Sequence, residues 1–346
     1  MDSESRMQDK EPADAQMIAL DTARVILILR KALVSVAVLL VAALMLAASS
    51  FVLMPKNNQA AFGMIHQEAH GILGEPAESI DVVFIGDSET TSSVSPLQIW
   101  GEQGFTSYVC ATNGQKLPYS LALLNRALES QTPKVVVIEA NSVYAPFSFK
   151  DCIERELQNA FPVFEYHDRW KKVSAEDFTS APKTTWVDPL KGFYINEKVL
   201  PAHAESHMRP SDSVEKVPAL NKWYLSLIVN RCREIGTVPV VVATPSTICW
   251  NTARHSGMSE AAKDLGIDFV DLNTGPDRVE IDWSTETRDA GDHLNYQGAI
   301  KISRSLGNLL KTTYQLSDHR KDDAYRHWNE ALDSYRKIVP NTQTDN

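Results

Sequence analysis

The feature that most constrains this chain is a long apolar run without charges, residues 32–54, near its beginning. As an α-helix, which rises about 1.5 Å per residue, such a run is long enough to cross the hydrocarbon core of a bilayer. Arg30 and Lys31 lie directly before the run, whereas Lys56 stands alone after it. Positive charge collects on the cytoplasmic side of membrane spans. The pattern therefore predicts a cytoplasmic tail over residues 1–31 and an extracytoplasmic domain after the span.

Two alternatives to a membrane span stay open. A cleaved signal peptide has a shorter apolar core and a small-residue cleavage site, and no such site fits well before Pro55. A buried core helix is also apolar, but the basic cluster and the absence of polar breaks favour the membrane. Residues 1–22 are polar and charged, which predicts an unstructured tail.

The rest of the chain has the composition of a globular protein. Of its 346 residues, 43% are hydrophobic and 23% are charged. The length beyond the tail and the span leaves room for one large α/β domain, and two small domains are the alternative. The net charge of −10 gives no sign of nucleic-acid binding. Dinucleotide, P-loop and metal-ligand spacings are not found, and the acidic segment 277–286 lacks the pattern of a calcium loop. No cofactor or metal is predicted.

The chain has four cysteines, at positions 110, 152, 232 and 249. Because no two of them form a C-x-x-C pair, a structural zinc site is not predicted. An even number in an extracytoplasmic domain permits disulfides. Buried free thiols fit the sequence equally well.

Five short apolar runs follow the span, and helical patterns alternate with them. The predicted strands are residues 80–85, 105–110, 134–138, 238–243 and 269–272. Alternating strands and helices imply right-handed crossovers and a parallel sheet that is covered on both faces. The predicted fold is a three-layer α/β/α sandwich with a parallel, flavodoxin-like sheet, preceded by one transmembrane helix.

The predicted domain organisation follows from the same patterns. A linker over residues 55–79, itself helical over 60–73, leads into an α/β domain over 80–316. An irregular, aromatic-rich insertion over 143–214 is expected at one end of the sheet. Residues 317–346 are predicted to form a C-terminal helix and tail.

The first predicted strand ends in Gly86-Asp87-Ser88. A serine on a strand-to-helix turn lies at the carboxyl edge of the sheet, beside the unpaired backbone N–H groups of a helix start. This position suits a nucleophile whose reaction develops an oxyanion. The alternative is that Ser88 caps a helix and Asp87 is an ordinary turn residue. Polar turns after later strands would meet Ser88 at the same edge, and they contain Gly114, Asn141 and Ser246.

A nucleophilic serine needs a base, and His293 is the best placed of the nine histidines. It lies in a polar loop before the last sheet-covering helix, with Asp289 and Asp292 nearby. A neighbouring carboxylate raises the basicity of a histidine and selects its tautomer. Asp289 is slightly favoured, because the side chain of an adjacent residue often points away. A surface-loop histidine without a role is the alternative.

Two motifs of this chain resemble the first and last motif blocks of the SGNH/GDSL hydrolase superfamily and occur in the same order along the sequence. They are Gly86-Asp87-Ser88 and Asp292-His293-Leu294-Asn295. The resemblance covers residues 80–310. Within the superfamily, the chain is similar to membrane-anchored extracytoplasmic proteins of bacteria. That group includes the D-alanine transfer proteins of teichoic acid and the acetyltransferases of exported polysaccharides.

The resemblance implies a role for each matching residue. Ser88 would be the nucleophile, His293 the general base, and an upstream aspartate the orienting acid. The backbone N–H groups of Ser88 and Gly114 and the side chain of Asn141 would form the oxyanion hole.

The chain departs from the family pattern at two places. The usual D-x-x-H spacing is absent, because Asp289 lies four residues before His293 and Asp292 is adjacent to it. Glu139-Ala140-Asn141-Ser142 replaces the family's G-x-N-D. The orienting acid and the role of Asn141 therefore stay open.

Serine-dependent acyl transfer or ester hydrolysis through an acyl-Ser88 intermediate is the leading functional prediction. The predicted substrate is a cell-envelope glycan or teichoic-acid-like polymer. Tethering to the bilayer favours substrates at or near the membrane and a multi-pass membrane acyltransferase as the partner that brings the acyl group across. A non-catalytic glycan-binding or scaffold module is the first alternative, and a secreted lipase-like esterase is the second.

Four further residues are weaker candidates for substrate binding. His167 and Arg169 lie in an aromatic segment that can roof the site, and Arg169 can hold a phosphate or carboxylate. An ordinary packed aromatic cluster is the alternative. Trp250 and Asn251 follow the fourth strand. A sugar ring can stack on Trp250, but a core tryptophan fits the pattern equally well.

Overall fold

The computed structural model describes the backbone of residues 10–339 and the side chains of residues 22–339. The first nine residues of the predicted tail and the last seven residues of the chain lie outside the described residues. The chain divides into two compact units. We call the part up to Met54, together with Ala160–Ser180, the helical unit. The rest, Pro55–Asn159 and Ala181 onward, is the sheet domain.

The helical unit is dominated by one long helix, α1 (Lys10–Leu53). Its stretch Thr22–Leu53 is long and apolar enough to cross a membrane, by length and composition. The side chains of this stretch are mostly exposed, unlike those of a buried core helix. The prediction of an unstructured tail is wrong from Lys10 onward. The residues there are mostly good helix formers, and Pro12 falls in the first turn, where proline is tolerated.

The sheet domain contains five strands within the described residues. They are β1 (Val82–Gly86), β2 (Ser107–Ala111), β3 (Val135–Glu139), β4 (Val238–Ala243) and β5 (Asp268–Asp271). The remaining α-helices, in chain order, are α2 (Gln67–His70), α3 (Ser88–Ser93), α4 (Pro96–Gln103), α5 (Leu117–Ala127), α6 (Ala140–Tyr144), α7 (Phe149–Ala160), α8 (Val163–Tyr166), α9 (Ala219–Glu234), α10 (Thr252–Leu265), α11 (Tyr296–Thr313) and α12 (Arg326–Ile338). Of these, α8 belongs to the helical unit.

All five strands are parallel, in the order β2-β1-β3-β4-β5. Val82 of β1 pairs with Ser107 on one side and with Val135 on the other. The chain thus leaves β1 toward one edge and returns to its other side, so the strand order reverses at β1. In open parallel sheets a crevice forms at the carboxyl ends of the strands where the order reverses. Ser88 follows β1 at this point.

The strands form where β-branched residues cluster, because both faces of the sheet are covered. Val83 and Ile85 contribute to the apolar core on one face, and Val82 and Phe84 to the core on the other. Helices α5, α9 and α10 pack into the first core, and α11 contributes most of the helical residues of the second. The predicted α/β fold with a parallel sheet is confirmed.

Two local outcomes refine the sequence analysis. The helix predicted over residues 60–73 is broken into Ala60–Phe62, α2 and Gly71–Gly74, because Gly63 and His66 have φ angles of 86° and 52° in the left-handed region. All four cysteines are free thiols.

Candidate active site

The turn between β1 and α3 places Ser88. Asp87 is the N-cap of α3, and its carboxylate accepts a hydrogen bond from the Glu89 backbone N–H at 3.0 Å. A side chain at Gly86 would overlap Thr90 Oγ1 and the Cβ of Glu139, so only glycine fits there. Ser88 is therefore the first residue of α3, where the backbone N–H has no acceptor within the helix. Its side chain is partly exposed.

The loop before α11 places His293. Ala290 and Gly291 have φ angles of 64° and 96°, so the chain turns back within two residues. Thr287 holds this turn from both sides. Its hydroxyl accepts from the Gly291 backbone N–H at 2.8 Å and donates to the His293 carbonyl at 3.0 Å. The turn brings the carboxylate of Asp289 over the residue four positions later.

Ser88, His293 and Asp289 form a continuous chain of hydrogen bonds. Ser88 Oγ lies 2.7 Å from His293 Nε2, and His293 Nδ1 lies 2.7 Å from Asp289 Oδ2. Asp289 Oδ1 also accepts from the His293 backbone N–H at 2.7 Å. A carboxylate can only accept, so Nδ1 carries the ring proton and Nε2 accepts from the serine hydroxyl. This is the arrangement of a serine nucleophile with its base and orienting acid.

Asp292, the other candidate acid, has a different partner. Its Oδ2 lies 3.5 Å from His293 Nδ1, and its Oδ1 accepts from the Cys249 thiol at 2.9 Å. Burial, followed by the nearby Asp292, raises the pKa of Cys249, which keeps the thiol protonated and able to donate. The geometry therefore favours Asp289, in agreement with the sequence pattern.

Asn141 lies beside the nucleophile turn, at the end of β3. Its Nδ2 donates to Asp87 Oδ2 at 3.0 Å, and its Oδ1 accepts from Arg254 Nη1 at 3.0 Å. These two contacts orient the amide and use one of its two N–H bonds. Gly114 follows β2, is exposed and has a φ angle of 62°. The oxyanion-hole roles of Asn141 and Gly114 stay predictions.

Three buried carboxyl groups lie behind the nucleophile: Asp87, Glu89 and Glu139. Burial is the main cause that raises the pKa of each, and the charge of Asp87 raises the pKa of Glu89 and Glu139 further. Among the described residues, neither oxygen of Glu89 has a hydrogen-bond partner. The raised pKa favours its neutral form.

In the described part of the chain, one group of residues has ligand atoms close enough together to hold a metal ion. Glu89, Asp292 and His293 each place a ligand atom within 4.8 Å of the others. Both ring nitrogens of His293 already make hydrogen bonds, to Ser88 and to Asp289. A metal at this position would displace one of those contacts, so the arrangement suits the hydrogen-bonded triad better.

Trp250 and Asn251 have structural partners. Trp250 is buried, and its Nε1 donates to Asp271 Oδ2 at 2.9 Å. This is the core position that the sequence left open, and it exposes no ring face to a sugar. Asn251 caps α10 by accepting from the Arg254 backbone N–H at 3.0 Å.

Arg169 and His167 belong to the helical unit. The Arg169 guanidinium donates to the carbonyls of Leu53 and Met54 at 2.8 and 2.9 Å, at the end of α1, and pairs with Asp177 at 2.8 Å. The Arg169 side chain is buried, and its guanidinium is engaged by these protein partners rather than by a phosphate or carboxylate of a substrate. His167 is exposed.

One residue at the site was missed from the sequence. Arg288 directly precedes Asp289 and lines a cavity of about 460 Å³ in the sheet domain. A single arginine in a polar loop belongs to no recognisable sequence motif. The one sequence feature that could have pointed to Arg288 is its position next to the candidate acid Asp289.

Comparison with known proteins gives distant likenesses. A scan against protein-family models and a search of the curated proteins find no match. Among solved structures, the chain is similar to a lipase/acylhydrolase from Enterococcus faecalis, at 11% identity and a TM-score of 0.37, over 69% of this chain and 98% of that chain. It is also similar to a GDSL-like lipase from Bacteroides thetaiotaomicron, at 13% identity and a TM-score of 0.33, over 68% of this chain and 87% of that chain. At this distance the likeness does not decide the activity, which has to be inferred from the geometry of Ser88, His293 and Asp289.

Proposed function

We propose that this protein is a membrane-anchored serine acyltransferase or esterase of the SGNH type. The observation that carries the proposal is the Ser88–His293–Asp289 chain, with both side-chain contacts of His293 at 2.7 Å. These distances lie within the ~2.6–3.2 Å range over which a base can take a proton.

In the first half of the reaction, Ser88 Oγ attacks the carbonyl carbon of an acyl ester and gives its proton to His293 Nε2. Asp289 holds the ring with Nδ1 protonated and stabilises the imidazolium that forms. Collapse of the tetrahedral intermediate breaks the bond to the leaving alcohol, which takes the proton back from Nε2. The product is acyl-Ser88.

The negative charge on the tetrahedral oxygen requires hydrogen-bond donors. The Ser88 backbone N–H at the start of α3 and the second Nδ2–H of Asn141 are the first candidates, and the Gly114 N–H is the third. The contacts of Asn141 with Asp87 and Arg254 support this role, because they hold the amide in one orientation before any substrate binds.

In the second half, a hydroxyl group attacks the carbonyl carbon of acyl-Ser88 and gives its proton to His293 Nε2. Collapse of this second tetrahedral intermediate breaks the acyl–Oγ bond, and Ser88 takes the proton back from Nε2. Water as the attacking group gives hydrolysis, and a sugar hydroxyl gives acyl transfer. The proposed acceptor is a cell-envelope glycan or teichoic-acid-like polymer. A multi-pass membrane acyltransferase would supply the acyl group.

The proposed location is the cell membrane, with α1 as a single span, the tail in the cytoplasm and the sheet domain outside. The segment that contacts the end of α1 supports this. Arg169 binds the last carbonyls of the helix, while Trp170 and Phe178 nearby are 65% and 61% exposed. Aromatic side chains concentrate at the level of the lipid headgroups. Their exposure at the end of an apolar helix fits such a position.

The test is covalent labelling of the full-length protein in detergent micelles with a fluorophosphonate probe. We expect the wild type to be labelled and Ser88→Ala to lose the label. Ser92→Ala is the matched control, because Ser92 lies one turn further along α3 and its buried hydroxyl has no hydrogen-bond partner among the described residues.

Equal labelling of Ser88→Ala and the wild type would refute the proposal. If the wild type neither reacts with the probe nor forms an acyl-enzyme from p-nitrophenyl acetate, detected by intact-mass measurement, the non-catalytic glycan-binding alternative takes its place.

A further inference from the structure

The cavity beside the triad has a built polar lining. Thr91 belongs to the same helix as Ser88, and Arg288 is adjacent in sequence to Asp289. Thr112 and Asn113 come from the turn after β2, and Tyr194 and Asn196 come from the irregular segment 192–196. A volume of about 460 Å³ is within the range of small-molecule sites.

Arg288 is the permanently charged cation of this cavity. Its side chain is 13% exposed, and its Nη1 is buried without a hydrogen-bond partner in the described part of the chain. The nearest carboxylate oxygen is Asp289 Oδ2, 3.6 Å from Nε. That oxygen already accepts from the His293 ring, and the other Asp289 oxygen accepts from the His293 backbone. The guanidinium lies over the ring of Tyr194 at 5.3 Å.

This arrangement leaves one nitrogen of a largely buried guanidinium, Nη1, without a hydrogen-bond partner among the described residues, and its one close carboxylate, Asp289, lies at 3.6 Å. An arginine cannot lose its proton in a protein, and a buried charge without a hydrogen-bonded partner is costly. The cavity also contains His66 and one acidic group, Glu68, whose Oε1 accepts from Gln67 Nε2 at 3.2 Å. What the cavity lining lacks is therefore a negatively charged hydrogen-bond acceptor for Arg288.

We propose that this cavity is a subsite for an anionic group, a carboxylate or phosphate, carried by the acceptor or the acyl donor. The planar guanidinium fork matches the oxygen spacing of both groups. With the anion on Arg288, the rest of the substrate extends toward Ser88. The inference rests on the proposed function and narrows the substrate class to anionic glycans or phosphate-containing polymers.

The experiment measures inhibition of p-nitrophenyl acetate hydrolysis by methyl phosphate and by glucuronate in the full-length protein. Sodium chloride keeps the ionic strength constant. We expect competitive inhibition of the wild type by at least one of the two anions. In Arg288→Gln its Ki should rise about tenfold or more, the loss of one charged hydrogen-bonded contact. Arg288→Lys should recover part of the affinity, and Arg304→Gln, an exposed arginine on α11, should behave as wild type.

The two anions separate the sources of negative charge. Inhibition by methyl phosphate alone assigns a phosphate-containing partner, and inhibition by glucuronate alone assigns an acidic sugar. If neither inhibits, or if Arg288→Gln leaves both Ki values unchanged, the proposal is overturned. A large fall in kcat on the neutral ester with unchanged Ki would show that Arg288 only positions Asp289.

A second measurement keeps this test independent of catalysis. The melting temperature of Ser88→Ala is followed against methyl phosphate and glucuronate, because a ligand that binds the folded state raises it. Stabilisation that disappears when Arg288→Gln is added supports the subsite even if no ester is hydrolysed. In that outcome the proposed function fails and the anion site stands.

Discussion

Replacing Asp289 with asparagine is expected to inactivate the triad by changing the histidine tautomer. Asp289 accepts two hydrogen bonds from His293, one from the backbone N–H and one from the ring Nδ1, each at 2.7 Å. Asparagine has only one acceptor oxygen. The backbone N–H is always a donor, so it retains that oxygen, and the amide NH₂ then faces Nδ1. The ring avoids a clash between two donors by moving its proton to Nε2, which can no longer accept from Ser88.

The expected size of the effect follows from the role of this contact. Loss of the correct tautomer in a serine triad lowers kcat by about 10⁴-fold. At about 1.36 kcal/mol per tenfold, this equals about 5.4 kcal/mol of transition-state stabilisation. Asp292→Asn should cost less than about tenfold, because the Asp292 carboxylate lies 3.5 Å from Nδ1, beyond a good hydrogen bond.

The assay is the steady-state rate of p-nitrophenyl acetate hydrolysis, with the fluorophosphonate labelling rate as a second readout. Folding of each variant is checked by its melting temperature. The reasoning is refuted if Asp289→Asn keeps more than about a tenth of the activity. It is also refuted if Asp292→Asn loses as much activity as Asp289→Asn.

Three further predictions concern the buried carboxyl groups, the membrane segment and the nucleophile turn. The raised pKa of Glu89 means that its contribution to stability is fully present below the ordinary value of 4.5 and is lost as the pH rises through the folded-state pKa. Glu89→Gln should therefore melt progressively higher than the wild type as the pH rises above the ordinary value of 4.5, and a difference that does not change with pH contradicts this. In bilayers with brominated lipids, Trp170→Phe should remove most of the lipid-dependent quenching of tryptophan fluorescence. Trp223→Phe, which replaces an exposed tryptophan of the sheet domain, should not. Equal quenching in both variants argues against an interfacial position of Trp170. Gly86→Ala should destabilise the sheet domain by about 1–3 kcal/mol or more through overpacking, while Gly101→Ala, which meets only ordinary contacts from 3.4 Å, should be neutral or stabilising in thermal melts.

Local patterns in the sequence predicted much of the fold. The five strands lie within two residues of the predicted positions. The clearest are β1, β3 and β4, which are Val- and Ile-rich runs buried on both faces of the parallel sheet. The Gly-Asp-Ser turn was predictable for a similar reason, since a glycine and an N-capping residue follow an apolar run. His293 was the best candidate base because it lies in a polar loop with carboxylates close in sequence. These features depend on residues within a few positions of one another.

The choice between residues of the same type was decided by the tertiary structure. Asp289, rather than Asp292, reaches His293 because Ala290 and Gly291 adopt left-handed conformations that a sequence pattern does not specify. Trp250, in the loop after β4, is part of the core, where Asp271 at the end of β5 accepts its indole N–H.

Two arginines illustrate the same limit. Arg169 binds carbonyls more than a hundred residues earlier in the chain. Arg288 meets Tyr194 in a cavity assembled from several distant segments. The sequence by itself determined the five strands and the candidate nucleophile and base, because hydrophobic periodicity and turn chemistry act locally. Only the tertiary structure decided which charged groups have partners, because those partners come from segments far apart in the chain.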